Sequence, residues 1–293
     1  MSKARSEFRN RFETVLVRGL LETAARAPLS FSLAVAKLLD VCAPRMRKSA
    51  ERNLQLALPQ LDAPGTTSAV YENLARLLYY FSRFNTRTAD NIHEWIEYEG
   101  FEHYREAKAL GKGVLFATGH LGNWELSAFA HAYLTEPMSV VVRPLDNALL
   151  DALIKRYRTR SGNRILDKQD FLRKILKALA NNEAVGILID QNTLPENGTF
   201  VDFFGMPAST GTTFAKLAHK SGAAVLPGYA FWNRARQKYI LKFDPIFPMT
   251  GDVHADTAAL AKHFERVIRS QPDQWLWLHR RWKARPPGEP ELY

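Results

Sequence analysis

One cysteine, Cys42, stands in a chain of 293 residues. No intramolecular disulfide can form, a zinc site built on several thiolates is excluded, and the composition suits a reducing compartment. Long apolar runs are missing as well. Arg18, Glu22, Arg26 and Lys37 interrupt residues 12–42, and the longest charge-free stretch there, Ala27 to Ala36, has ten residues. A spanning helix needs about 20. The N-terminus is therefore not an ordinary secretory signal. It reads either as amphipathic helix lying in a membrane interface, with its basic residues near the headgroups, or as helix packed on the protein's own core. Several catalytic motifs are also lacking. Gly111 and Gly113 precede a strand candidate instead of following one, and there is no Walker phosphate loop, no Gly-x-Ser-x-Gly elbow and no His-Glu-x-x-His. Those absences argue against a nucleotide hydrolase, a serine hydrolase and a zinc protease. No internal repeat or low-complexity segment is visible.

The remaining composition is that of a folded protein, with 46% hydrophobic and 24% charged residues. The length suits one large domain or one domain with an appendage. The net charge of +10 favours acidic partners: nucleic acid, anionic lipid, a phosphorylated substrate or an acidic carrier protein. No nucleic-acid-binding motif accompanies the charge, so no nucleic-acid partner is expected.

The first 85 residues read as helical, broken at Pro28 and Pro44. From Thr66 to Phe84, Val70, Leu74, Leu77, Leu78, Phe81 and Phe84 keep amphipathic spacing. Beyond about residue 95 the pattern changes. Strand candidates Val114–Thr118, Ser139–Val142, Ala184–Ile189, Ala224–Trp232 and Tyr239–Phe243 alternate with helical runs at Asn123–Tyr133, Leu149–Arg160, Asp170–Asn181, Gly211–Ser221 and Thr257–Ser270. The alternation predicts an α/β fold, with a mostly parallel sheet flanked by helices and an N-terminal helical extension attached; on the amphipathic reading above, that extension would dock on a membrane. The expected division is residues 1–90 for the extension and 91–293 for the α/β domain.

Thr118-Gly119-His120-Leu121-Gly122-Asn123-Trp124-Glu125 lies where a strand ends and a helix begins, the place where open α/β sheets carry their sites. Asn123 is a candidate helix N-cap and Glu125 falls in the first turn. The spacing predicts that Glu125 accepts a hydrogen bond from His120 Nδ1, fixing the tautomer and leaving Nε2 to act as a general base. No serine or cysteine accompanies the pair, so the nucleophile would be a substrate hydroxyl. Of the eight histidines only His120 has this setting, and none has the spacing of a metal site.

The segment resembles the His-x-x-x-x-Asp/Glu motif of glycerolipid acyltransferases, and more closely the lauroyl and myristoyl acyltransferases of bacterial lipid A biosynthesis, which carry Glu in the acidic position. Further blocks carry the resemblance from about Leu16 to Tyr293: Arg143–Asn147, Arg158–Asn163, Asp190–Asn192, Gly198–Thr210 and Trp275–Lys283. It implies an acyltransferase without a resident cofactor. The donor would be acyl carrier protein, with coenzyme A the alternative. The acceptor would be a phosphorylated glycolipid precursor of lipid A, or another membrane glycolipid such as phosphatidylinositol mannoside. The place implied is the cytoplasmic face of the inner membrane, against an anionic surface. Arg160, Arg158 and Arg143 are candidates for binding phosphate or a developing oxyanion. Asn123 and Asp190 are further substrate-binding candidates, Asp190 holding an arginine or the substrate. The family often has an acidic residue two positions after Asp190, where this chain has Asn192. Gly205–Thr210 reads as a turn and helix entry with Ser209 and Thr210 as caps. Trp275, Trp277 and Trp282 either anchor at headgroups or close the core.

Overall fold

The computed structural model describes residues 6–166 and 171–293. Four helices come first: α1 (Glu7–Arg26), α2 (Leu29–Cys42), α3 (Pro44–Ala57) and α4 (Ala63–Phe81). Ser6 caps α1 by accepting from the Arg9 N–H at 3.2 Å. Pro28 and Pro44 stand at the starts of α2 and α3, where a missing N–H costs nothing.

The rest alternates strands and helices. In chain order come β1 (Ile96–Glu99), α5 (Phe101–Ala109), β2 (Val114–Thr118), α6 (Trp124–Leu134), β3 (Ser139–Val141), α7 (Ala148–Arg158), β4 (Arg164–Leu166), α8 (Phe171–Ala180) and β5 (Ala184–Leu188). Then follow β6 (Gly198–Phe203), β7 (Met206–Gly211), α9 (Thr213–Ser221), β8 (Ala224–Asn233), β9 (Lys238–Phe243) and α10 (Val253–Ser270). Seven strands form one sheet in the order β1-β9-β8-β2-β5-β3-β4, and only the β8–β9 contact is antiparallel. The expected α/β fold is therefore the observed one. Asp170, the expected start of α8, lies outside the described residues.

Each face of the sheet is covered. Leu115, Ala117, Val185 and Val225 pack with α9, α10 and Leu54 of α3. Val114, Phe116, Ala184 and Leu226 face α5 and α6, together with Leu21 of α1 and Phe81 of α4. Both cores thus draw residues from before and after position 90. Among the described residues no helix is long and apolar enough to cross a membrane.

Gly205 does lie in a turn, as expected, but no helix entry follows: Met206–Thr210 belongs to strand β7, paired antiparallel with β6 through Phe200↔Ser209 and Thr199↔Thr210. Neither residue caps a helix; the strand serves a fully buried arginine, with Arg281 donating to the Ser209 backbone carbonyl at 2.8 Å and to Thr210 Oγ1 at 2.6 Å. The C-terminal tryptophans close the core. Trp275, Trp277 and Trp282 are at most 1% exposed, whereas Arg280 and Lys283 of that block are exposed. Deleting such a ring leaves a cavity that the core cannot fill. Trp277→Ala is expected to lower the unfolding free energy by about 3–5 kcal/mol, measured by urea denaturation.

Candidate active site

β2 ends at the centre of the sheet, and the chain turns through residues 119–123 before entering α6. Gly122 makes the turn: its φ is +54°, and a Cβ there would lie 1.9 Å from the Ala230 carbonyl oxygen. Asn123 then donates its backbone N–H to Ala230 O at 2.9 Å, and its side chain caps α6 by accepting from Leu126 N–H at 3.0 Å. The C-terminal tryptophan segment clamps the loop from the other side. Leu276 N–H donates to His120 O at 3.0 Å, and Gly122 N–H donates to Gln274 O at 2.6 Å.

This frame fixes His120 over Asp190, the residue that follows the β5 run. His120 Nδ1 lies 2.9 Å from Asp190 Oδ1, while the His120 backbone N–H donates to Oδ2 at 2.8 Å. The Trp275 indole N–H also donates to Oδ2 at 2.8 Å. Burial pushes the Asp190 carboxyl up, but the His120 charge and these hydrogen bonds outweigh it and hold the group at about 2. Burial lowers the His120 imidazole, and the Asp190 carboxylate more than compensates, so its pKa is raised. With Nδ1 held by a carboxylate, Nε2 is the free edge. The Gln191 amide nitrogen stands 3.3 Å from it.

The expected His120–Glu125 hydrogen bond does not form. Glu125 instead binds Arg158 bidentately: Arg158 Nε to Oε2 is 2.9 Å and Nη2 to Oε1 is 2.5 Å. The reason is geometric, since the turn at Gly122 and the cap at Asn123 aim Glu125 from the first turn of α6 toward the end of α7. Glu125 still lies close enough to His120 to favour its charged form.

His120, Glu125 and Arg158 line one cavity of about 580 Å³. Its remaining wall is mostly apolar, including Trp124, Phe129, Val140, Ile165, Phe171 and Leu188. Arg143 stands in its wall and is exposed.

With that geometry in view, the sequence model of the bacterial lipid A biosynthesis acyltransferases matches residues 12–284. The chain belongs to that family. It is 32% identical over 257 residues to the lipid A biosynthesis lauroyltransferase of Escherichia coli K12, covering 85% of this chain and 83% of that protein. The lipid A biosynthesis myristoyltransferase of the same strain is 23% identical over 280 residues, covering 92% and 86%. A phosphatidylinositol mannoside acyltransferase of Mycobacterium tuberculosis H37Rv is 30% identical over 188 residues, covering 63% and 59%.

The other expected site residues of this acyltransferase-family chain take different places or partners from those expected. Asn123 is fully buried and spent on the helix cap, outside the cavity wall. Asp190 holds neither an arginine nor open space for substrate; it holds the histidine. Arg160 does not line the cavity. It is exposed in a separate open cleft with Arg18 and Arg156. Trp275 and Gln191 are site residues that sequence reasoning missed. The buried polar edge of a tryptophan needs an acceptor, a hint in the sequence, but nothing local pointed to Asp190.

The pairing with Asp190 makes a direct prediction. In Asp190→Asn the His120 imidazole is expected to titrate lower than in wild type, because the carboxylate that raises its pKa is gone, followed by NMR of its C2 proton; an unchanged titration would break the assignment.

Proposed function

We propose that the chain moves a fatty acyl group from an acyl carrier protein thioester to a hydroxyl of a lipid A precursor, with His120 as the general base. One observation carries this reading: an imidazole whose Nδ1 is held by a buried carboxylate turns Nε2 toward a mostly apolar cavity with a guanidinium in its wall. Among the described residues that line this cavity there is no serine, threonine or cysteine. The nucleophile is then the acceptor hydroxyl. Its proton passes to Nε2 as its oxygen attacks the thioester carbonyl carbon. The tetrahedral intermediate collapses, the carbon–sulfur bond breaks, and the imidazolium returns the proton to the leaving thiolate. Asp190 stabilises the imidazolium throughout.

Glu125 supports catalysis through Arg158. The bidentate pair fixes the guanidinium plane in the cavity wall, where it can meet the carbonyl oxygen as it gains charge, or an acceptor phosphate. Arg143, exposed beside the same cavity, is a second phosphate contact. The basic surface suits an acidic carrier protein and anionic lipid together. On α1, Phe8, Phe12, Val15 and Leu16 are exposed and share the outward face at helical spacing. Leu145 and Leu149, at the start of α7 against which α1 packs, are exposed too. This apolar surface beside the cavity supports docking of the protein on the cytoplasmic face of the inner membrane.

The test supplies labelled acyl carrier protein thioester with either a lipid A precursor or a mannosylated phosphatidylinositol as acceptor. Label is expected to move to the lipid A precursor, and His120→Ala is expected to cut the rate by about 10²–10⁴-fold. Full activity in His120→Ala would overturn the mechanism. Transfer only to the mannosylated acceptor would overturn the substrate assignment and keep the chemistry.

A further inference from the structure

The face of the sheet beneath α6 carries two gaps. Side chains alternate along a strand, so Ala184, Gly186 and Leu188 of β5 share a face with Phe116 and Thr118 of β2 and with Leu226 and Gly228 of β8. Parallel strands buried on both faces are normally filled with branched apolar residues. Here two of these positions are glycine. Opposite them α6 presents Ser127 and Ala128, which are also small.

Between these elements lies a second space of about 40 Å³, apolar apart from Ser127, Thr118 and His131. It adjoins the catalytic cavity: Trp124, Ala128, Val140 and Leu188 line both. The room left by Gly186 is taken by one side chain. A Cβ built on Gly186 would meet Met138 Cε at 2.7 Å, with nothing else within 4 Å. The room at Gly228 is taken by the Phe243 ring, 2.9 Å from a Cβ built there. The two plugs differ in kind. Phe243 is stacked on Phe116 and tilted against Tyr98 and Tyr104, whereas Met138 is an unbranched thioether that changes rotamer readily.

We propose that this seam receives the terminal methylenes of the donor acyl chain, and that Met138, resting on Gly186, is the stop that sets which chain length is used. The inference rests on the acyl-transfer reading above. The thioester carbonyl sits at His120, the chain runs along the apolar cavity wall, and its end meets Met138 between α6 and the sheet. Met138 is a specificity-determining residue and takes no part in the chemistry.

The experiment measures kcat/KM for a graded series of saturated acyl carrier protein donors, each two carbons longer than the last. Met138→Ala is expected to raise the ratio for the donor two carbons beyond the wild-type optimum by about tenfold, or ~1.4 kcal/mol, close to two buried methylenes. Gly186→Ala pushes Met138 into the seam and is expected to move the optimum toward shorter chains. In the double variant the new methyl occupies space that Met138 has left, and the optimum returns toward that of wild type. Met138→Ala alone suffices if Gly186→Ala does not fold. If wild type transfers acyl chains and Met138→Ala leaves the donor profile unchanged, or alters only the choice of acceptor, the inference is overturned. If wild type transfers no chain, the acyl-transfer reading fails first and the inference with it.

Discussion

The buried carboxylate of Asp190 is the constraint around which the site is built. A carboxylate out of water is costly unless each oxygen is matched. Here Oδ1 takes the His120 ring, and Oδ2 takes both the His120 backbone N–H and the Trp275 indole. These contacts tie three distant parts of the chain together: the loop after β2, the end of β5 and the C-terminal tryptophan segment. The fold explains why they can meet. β2 and β5 are neighbours in register, so residues just beyond Thr118 and Leu188 emerge side by side. Trp275 is anchored by its packing against Trp277 and Phe203.

Two charged pairs then divide the work. Asp190 serves His120, and Glu125 serves Arg158. The nearby Arg281 guanidinium, fully buried, finds carbonyl and hydroxyl acceptors on β7 and adds a positive charge on the far side of Asp190. The site is thus an alternation of charges whose members lie on separate elements, held by a loop with little freedom to move. Such a frame suits a reaction in which positive charge appears and disappears on one imidazole.

Much of the fold was legible because its signals are local. The strands at 114–118, 184–188, 224–233 and 238–243 are apolar runs bounded by polar or glycine residues, and α4 shows in the spacing of Val70 to Phe81. The 3-residue strand β4 and the 4-residue β1 carry too little pattern to stand out. β7 was misread because Ser209 and Thr210 look like caps when their partner, Arg281, lies some 70 residues away. At the site, His120 and Glu125 were found through the strand–helix junction and the resemblance. Their presumed bond was wrong for the same reason. A carboxylate five residues away is near in sequence, while Asp190, 70 residues away, is nearer in space. Sequence spacing displays the residues a turn can bring together, and sheet register decides which of them meet.

The central claim is that Asp190, and not Glu125, sets the protonation of the His120 imidazole, the proposed general base. The pH dependence of kcat/KM for acyl transfer tests it in two variants. A base must be neutral to accept a proton, so activity falls as pH drops through the raised pKa of His120. Asp190→Asn removes the largest influence raising that pKa and is expected to move the acid limb to lower pH while reducing the rate. Glu125→Gln is expected to reduce the rate through Arg158 and to leave the limb near its wild-type position. A limb that shifts with Glu125→Gln and stays fixed in Asp190→Asn would contradict the account.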